Sequence, residues 1–416
     1  MASKPTPREK TNPMLPTPAE AERIILASIC VLPTEDCPLL QAHGRVLRAP
    51  IKADRDLPPF DRVTMDGFAF ASAAWTAGTR RFRSIGTQGA GMVPLTLRAP
   101  DECVEIMTGA VLPAGADCAV PHEETTRENV TQWVTLSAAP WAGQCVHARG
   151  SDFAAGTAIV PAGVRLTARE IAVAAACGAA VLPVAMRPSV AVVATGDELV
   201  EVDSPAVAPH QVRKSNDYAL RAALLTSGLT ARVERFHLRD LRPEVEATLR
   251  RLIAEFDVVL LTGGVSKGKF DFVPAALAAL GVEKKLHGIA QRPGKPFWFG
   301  VSPRQTPVFA LPGNPVSACI GLHRYVLPAL AHMLGATPDR TDWVTLANAT
   351  PGHPQLTRFN AVKLATAPDG RRTAAAVACN TSGDFAELVG TDGFVELPPG
   401  PAEVPAGTVA RYWAWE

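Results

Sequence analysis

The chain has 416 residues, 47% of them hydrophobic, enough for two or more cooperating cores rather than one. Its 41 Lys and Arg against 40 Asp and Glu leave a net charge of +1. That balance gives no global field for nucleic acid or an acidic membrane, so any anion site must be built locally. No stretch approaches the roughly 18 uninterrupted apolar residues of a membrane span. The eight cysteines (Cys30, Cys37, Cys103, Cys118, Cys145, Cys177, Cys319, Cys379) form no CxxC pair. They read as reduced thiols of a cytoplasmic protein, not as a disulfide framework or zinc site. The nine histidines show no HExxH spacing.

The start, MASKPTPREKTNPMLPTP, is polar and Pro-rich and reads as a flexible tail rather than a signal peptide. Apolar residues at helical spacing after a Thr-Pro start predict a helix over 17–31. Residues 50–150 change character: short Val/Ile/Thr runs alternate with Gly and Pro, which predicts a β-rich insert. TAREIAVAAACG (167–178) returns to helix and stops on a Gly cap. From Pro188 the pattern is βαβ. SVAVVATGDEL is a buried strand, SNDYALRAALLTSG a capped helix, LTARVERFHL a strand, RPEVEATLRRLIAEF a helix and DVVLLTGG a second apolar strand. Continuous apolar strands alternating with helices predict a parallel sheet covered on both faces. PVFALPGNPVSACIGLHRYVLPALAHML adds a strand, a Gly-Asn turn and a long helix. After 338 the chain is β-rich again, as a small barrel or sandwich.

Ligands of open parallel sheets bind beyond the carboxyl ends of the strands. Three loops leave strands at that edge: Thr195-Gly196-Asp197-Glu198, Thr262-Gly263-Gly264-Val265-Ser266-Lys267-Gly268, and Leu311-Pro312-Gly313-Asn314-Pro315-Val316-Ser317. Each joins Gly, which permits close backbone approach, to hydroxyl or amide groups, so together they describe a phosphate or anion pocket. None is a Walker A or GxGxxG loop. Glu198, Asp240 and Asp271 fall in the same region, and carboxylates beside phosphate loops hold Mg²⁺. On pattern alone each acid could instead cap a helix: Asp240 the 242–255 helix, Asp271 the one after it. In LHGIAQRPGKPFWF, Arg292 and Lys295 flank a Pro-Gly turn stiffened by prolines and by Phe297 and Trp298. Two cations on a rigid turn form an oxyanion clamp; the plain alternative is a solvated basic turn. A second polar cluster, Asp61 to Asp66 before Gly67, and the later Ile106-Met107-Thr108-Gly109-Ala110 fit either turn chemistry or a ligand-facing rim.

DLPPFDRVTMDGFA, EIMTGAVLPAGAD, RGSDFAAGTAIVPAG, VVATGDEL, LLTGGVSKGKFDF, QRPGKPFWFG and LPGNPVSA stand in the order found in molybdopterin molybdenumtransferases. The chain resembles that family, which includes bacterial molybdenum-insertion enzymes and the E-domain of gephyrin, from about residue 17 to 410. The resemblance implies an α/β and β multidomain fold in four parts. These are a discontinuous linker domain (17–50 plus 150–185), a β-rich insert (51–149), a molybdopterin-binding α/β domain (186–338) and a C-terminal β-barrel (339–416). It implies an elongated homodimer whose cleft joins the α/β domain of one subunit to the insert of the other. It also implies the activity: insertion of molybdate, the substrate, into adenylylated molybdopterin with Mg²⁺-dependent release of AMP, possible contact with the pathway's adenylyltransferase, and no nucleic-acid or membrane partner.

Carried over by position, the family's functional acids fall on Asp61, Asp152, Glu198, Asp240 and Asp271, and its threonine on Thr108. Its oxyanion pair falls on Arg292 and Lys295, and its serine on Ser317. Glu198, Asp240 and Asp271 would hold Mg²⁺; Gly263, Gly264, Ser266, Gly313 and Asn314 would bind substrate. The chain departs from the pattern in four places. Arg292 replaces a lysine, and Val63 a serine. The C-terminal arginine has only Arg358 or Lys363 as counterpart, and Thr381-Ser382-Gly383-Asp384 stands for a Gly-Ser-His segment. Two rival functions share parts of this pattern: molybdopterin adenylylation, whose enzymes lack the insert and C-terminal β-domain, and a non-catalytic gephyrin-like scaffold. Molybdate and tungstate match in charge and nearly in size, so a site built for one suits the other.

Overall fold

The computed structural model describes residues 15–128, 131–239, 241–264, 272–338, 341–378, 383 and 385–415. Its centre is a six-stranded sheet ordered Arg232–Leu238, Ser189–Thr195, Val258–Thr262, Pro307–Leu311, Trp298–Val301, Glu283–His287. The first four strands run parallel, Trp298–Val301 runs against them, and Glu283–His287, antiparallel to that strand, returns to the first direction. Alternation along one strand shows why both faces are covered. Val190 and Val192 pack with Leu220 and Leu224 of helix Asn216–Ser227 and with Leu322 and Val326. Ala191 and Val193, pointing the other way, pack with Val245, Leu249 and Leu252 of helix Arg242–Glu255. The helical run after Pro315 continues to Met333 through a π-helical turn, Leu322–Val326.

The first helix is Pro18–Ala27, within the predicted window. Thr17 and Glu20 close a capping box, and Ala21 and Ile25 join the core on one face of the central sheet. Strand Thr34–Pro38 pairs antiparallel with Val181–Ala185, and Ile51–Lys52 with Ala158–Val160, so segments on either side of the insert share one core. The insert holds a six-stranded sheet packed on Phe68, Phe70 and Phe82. In the C-terminal region strands Asp342–Leu346, Thr357–Thr366, Arg372–Ala376, Gly393–Leu397 and Val409–Ala414 close on themselves, because Thr357–Thr366 pairs with both Arg372–Ala376 and Gly393–Leu397. The expected barrel or sandwich is therefore a barrel. Among the described residues no helix is long and apolar enough to cross a membrane. Burial pushes the thiols of Cys103, Cys118 and Cys319 up to about 12, so they are inert at neutral pH.

One buried cation ties three of these parts together. Arg324, on the π-helical turn, is fully buried and pairs with Glu22 of the first helix at 2.8 Å and Glu396 of the barrel at 2.9 Å. Its guanidinium also stacks over Trp413 at 4.5 Å. Arg324→Met would leave two carboxylates facing a desolvated site. It is expected to cost about 3 kcal/mol, the low end for a broken buried pair, because Glu22 and Glu396 keep 24% and 14% of their exposure. Adding Glu22→Gln and Glu396→Gln should recover part of the loss in a denaturant titration; no recovery would mean the ion pairs are not the cause.

Candidate functional site

Two cavities of about 690 Å³ each adjoin at the carboxyl edge of the central sheet. Pro296, Pro312 and Asn314 line both. The first lies beyond strands ending at Thr195, Thr262 and Leu311, and its wall includes Gly196, Glu198, Gly263, Gly264, Gly313 and Asn314. The loops approach closely because glycine lets them. A methyl group on Gly263 (φ +91°) would lie 2.7 Å from Thr195 Oγ1 and 2.8 Å from its carbonyl oxygen. Asn216, at the start of its helix, donates Nδ2 to Thr262 Oγ1 and to the Gly313 carbonyl, both at 2.8 Å. One amide thus sets the spacing between two of the strand-end loops. The Glu198 carboxylate folds back over Gly196, where a methyl would collide with its Oε2.

Charged side chains on the wall, Arg213, Lys214 and Asp217, are backed by others that do not line it. Lys214, 5% exposed, pairs with Glu201; Arg235 bonds Glu201 at 3.3 Å and Asp217 Oδ2 at 2.7 Å. The hydrogen bond from Lys214 holds the Glu201 carboxyl below its usual range, against the opposing pull of burial. Sequence reasoning missed Asn216, Lys214 and Asp217 as site residues. The one available signal was the polar Lys-Ser-Asn-Asp run, which reads equally well as helix capping.

The second cavity opens between the Pro-Gly hairpin and the barrel. Arg292, Lys295 and Ser317 line it from one side, Asn348, Arg358 and Asn360 from the other. Arg292 and Arg358 are register partners where Gln291–Arg292 joins the barrel strand Thr357–Thr366 in parallel. Phe297 and Trp298 are buried under the hairpin, as its sequence implied. A second clamp was not legible: Gln291, itself buried, donates Nε2 to the carbonyls of Pro293 and Gly294 at 3.2 and 3.3 Å. Its Oε1 accepts from the buried Tyr325 hydroxyl. Both cations are exposed on this fixed turn, while Ser317 is buried beneath it.

Asp61, Thr108 and Asp152 line neither cavity. They sit where the insert meets its neighbouring segments. Asp61 accepts the Arg149 N–H at 2.8 Å, and Asp152 meets His147 Nε2 at 2.9 Å, whose other ring nitrogen faces Arg62 at 3.0 Å. Thr108 gives both its N–H and its hydroxyl to Asp66, at 2.6 and 2.7 Å. The backbone bond, then the hydroxyl, hold the Asp66 carboxyl below its usual range. Val63 is fully buried with Ile106 and Ala110, so the missing hydroxyl is a core choice here. Asp240, Asp271, Ser266 and the Thr381, Ser382 and Asp384 positions lie outside the described residues. Among the described residues no three His, Cys, Asp or Glu side chains converge for a metal. Glu198, an oxygen donor on the wall of the first cavity, fits a hard cation such as Mg²⁺.

Three family models match in chain order: the MoeA N-terminal region (domain I and II) over residues 17–178, a probable molybdopterin binding domain over 191–332, and the MoeA C-terminal region (domain IV) over 344–415. A molybdopterin molybdenumtransferase of Synechocystis sp. is 36% identical over 376 residues, 90% of this chain and 93% of that protein. One of Bacillus subtilis is 31% identical over 378 residues, 88% of this chain and 86% of that protein. The crystal structure of a molybdopterin biosynthesis moeA protein from Pyrococcus horikoshii OT3 superposes with a TM-score of 0.81 at 25% identity, covering 96% of this chain and all of that one. With relatives matched over nearly their whole length and the three regions in the same order, this chain belongs to the molybdopterin molybdenumtransferase family, transferases of molybdenum cofactor biosynthesis.

Proposed function

We propose that this chain inserts molybdate into the dithiolene of adenylylated molybdopterin and releases AMP. The observation that carries the reading is the pair of adjoining cavities sharing Pro296, Pro312 and Asn314. One suits a nucleotide, with glycine loops at parallel strand ends. The other suits a tetrahedral dianion, with Arg292, Lys295, Arg358 and buried Ser317 around it. A substrate spanning the two would hold its dithiolene beside the oxyanion while its phosphates lie on the glycine loops.

The chemistry then balances without an oxidant. Two Mo–S bonds form, one oxo ligand leaves as water with the two thiol protons, and molybdenum stays hexavalent. Water cleaves the bond between the two phosphates, giving AMP and molybdopterin. Mg²⁺, when bound, would neutralise phosphate charge. Glu198 would hold it, with Asp240 and Asp271 as the further proposed ligands on the segments leaving neighbouring strand ends. Arg292 and Lys295 would orient the oxyanion, the arginine adding a forked pair of donors where the family pattern has an ammonium. Asp61, Thr108 and Asp152 face neither cavity within one chain. The proposal therefore includes a homodimer in which a second copy brings these residues to the cleft. The four-part division at 17–50 plus 150–185, 51–149, 186–338 and 339–416 belongs to the same proposal.

The direct test is AMP release from adenylylated molybdopterin with Mg²⁺ and molybdate present. Release that needs no molybdate, with no metal in the product, would overturn the reading. Lys295→Ala removes one charged donor from the second cavity and is expected to weaken molybdate binding about tenfold or more. AMP affinity, read in parallel by calorimetry, should hardly move. Gln291→Leu frees the Pro-Gly turn without removing either cation. It is expected to reduce molybdate affinity with AMP affinity retained; equal loss of both would instead indicate a general collapse of the site.

A further inference from the structure

We infer that Asp217 reads an exocyclic amine on the heteroaromatic ring of the ligand in the first cavity. The inference rests on the proposed occupancy of that cavity by adenylylated molybdopterin. Asp217 lines the cavity and is 1% exposed. Its Oδ2 is taken by Arg235 Nε at 2.7 Å, and that guanidinium is fixed in turn by Glu201 and by the Tyr218 ring 3.4 Å below it. Oδ1 is buried and has no hydrogen-bond partner among the described residues. A buried carboxylate oxygen without a donor is costly, and more so for an anion than for a neutral group. Two neighbouring donors are already committed. Asn216 spends its amide hydrogens on Thr262 and Gly313, and Lys214 is committed to Glu201.

The sign of the charge decides what can satisfy Oδ1. A carboxylate repels phosphate and molybdate but accepts from N–H. The phosphates of the ligand therefore belong on the glycine loops, and the amino-bearing edge of one of its rings belongs at Asp217. The ligand has two amino-substituted rings of this chemistry, adenine and the pterin, and each has a counterpart with an oxo group in place of the amine. Inosine monophosphate is the counterpart of AMP, and lumazine that of pterin.

The experiment measures dissociation constants for both pairs by calorimetry in EDTA, which removes any divalent ion that could occupy Oδ1 instead. For the ring that docks at Asp217, the intact protein is expected to prefer the amino member about tenfold or more, and the other pair to be bound alike. Asp217→Asn keeps the shape. Arg235 should take the amide oxygen and leave the NH₂ facing the cavity, so that the preference reverses toward the oxo member. Equal affinity within both pairs in the intact protein would overturn the inference with no variant needed. So would an unchanged ratio in a folded Asp217→Asn protein. If the intact protein bound AMP and the pterin equally poorly at millimolar concentration, the nucleotide cavity itself would be wrong, a different failure from a lost preference.

Discussion

The placement of the second cavity depends on a single desolvated guanidinium. Arg324 sits where the helix after Pro315 packs on the barrel, and it meets Glu22 through Nη1 and Glu396 through Nε. Around it, Val316 and Ile320 of the same helix pack against Phe359 and Phe394 of the barrel. Ion pairs inside a protein are poor sources of net stability but strict about geometry. Here the geometry fixes where the barrel wall stands. That wall contributes Arg358, Asn348 and Asn360 to the second cavity, so the oxyanion pocket is made by two packed bodies rather than one loop.

The same economy of charge runs through the first cavity. The chain is nearly neutral, yet it places two exposed cations on one stiff turn and sets two more, buried Lys214 and half-buried Arg235, beside acids that neutralise them. The exposed Arg292 and Lys295 line the space proposed for the oxyanion, and Lys214, paired with Glu201, lines the wall proposed for the ring. Local pairing, not net charge, separates an anion end from a neutral end in adjoining space.

Neither cavity would have its shape with larger residues at the strand ends. Gly263 lies against Thr195 closer than any side chain allows, and Gly294 lies against the amide of Gln291, where a methyl would be 2.8 Å from Nε2. At each turn a polar side chain bonds the nearby backbone: Asn216, 97 positions away in the chain, reaches Gly313, and Gln291 reaches Pro293 and Gly294 within its own turn. One turn is therefore held from far along the chain and the other from within itself.

The sequence by itself determined the parts. Periodicity marked the helices near 18–27 and 168–176, the buried parallel strands and the β-rich ends, because burial on two faces and on one face leave different apolar rhythms. Ordered motifs marked the family and most of the strand-end residues, because tight turns admit few residue types. The tertiary structure alone decided which parts meet. It closed the C-terminal strands into a barrel, set Arg358 beside Arg292, and turned Asp217 toward Arg235, so that one carboxylate oxygen was left without a donor among the described residues. It also left Asp61, Thr108 and Asp152 apart from both cavities. Contacts between residues tens or hundreds of positions apart depend on how whole elements pack, and packing leaves no period in the chain for a reader to find.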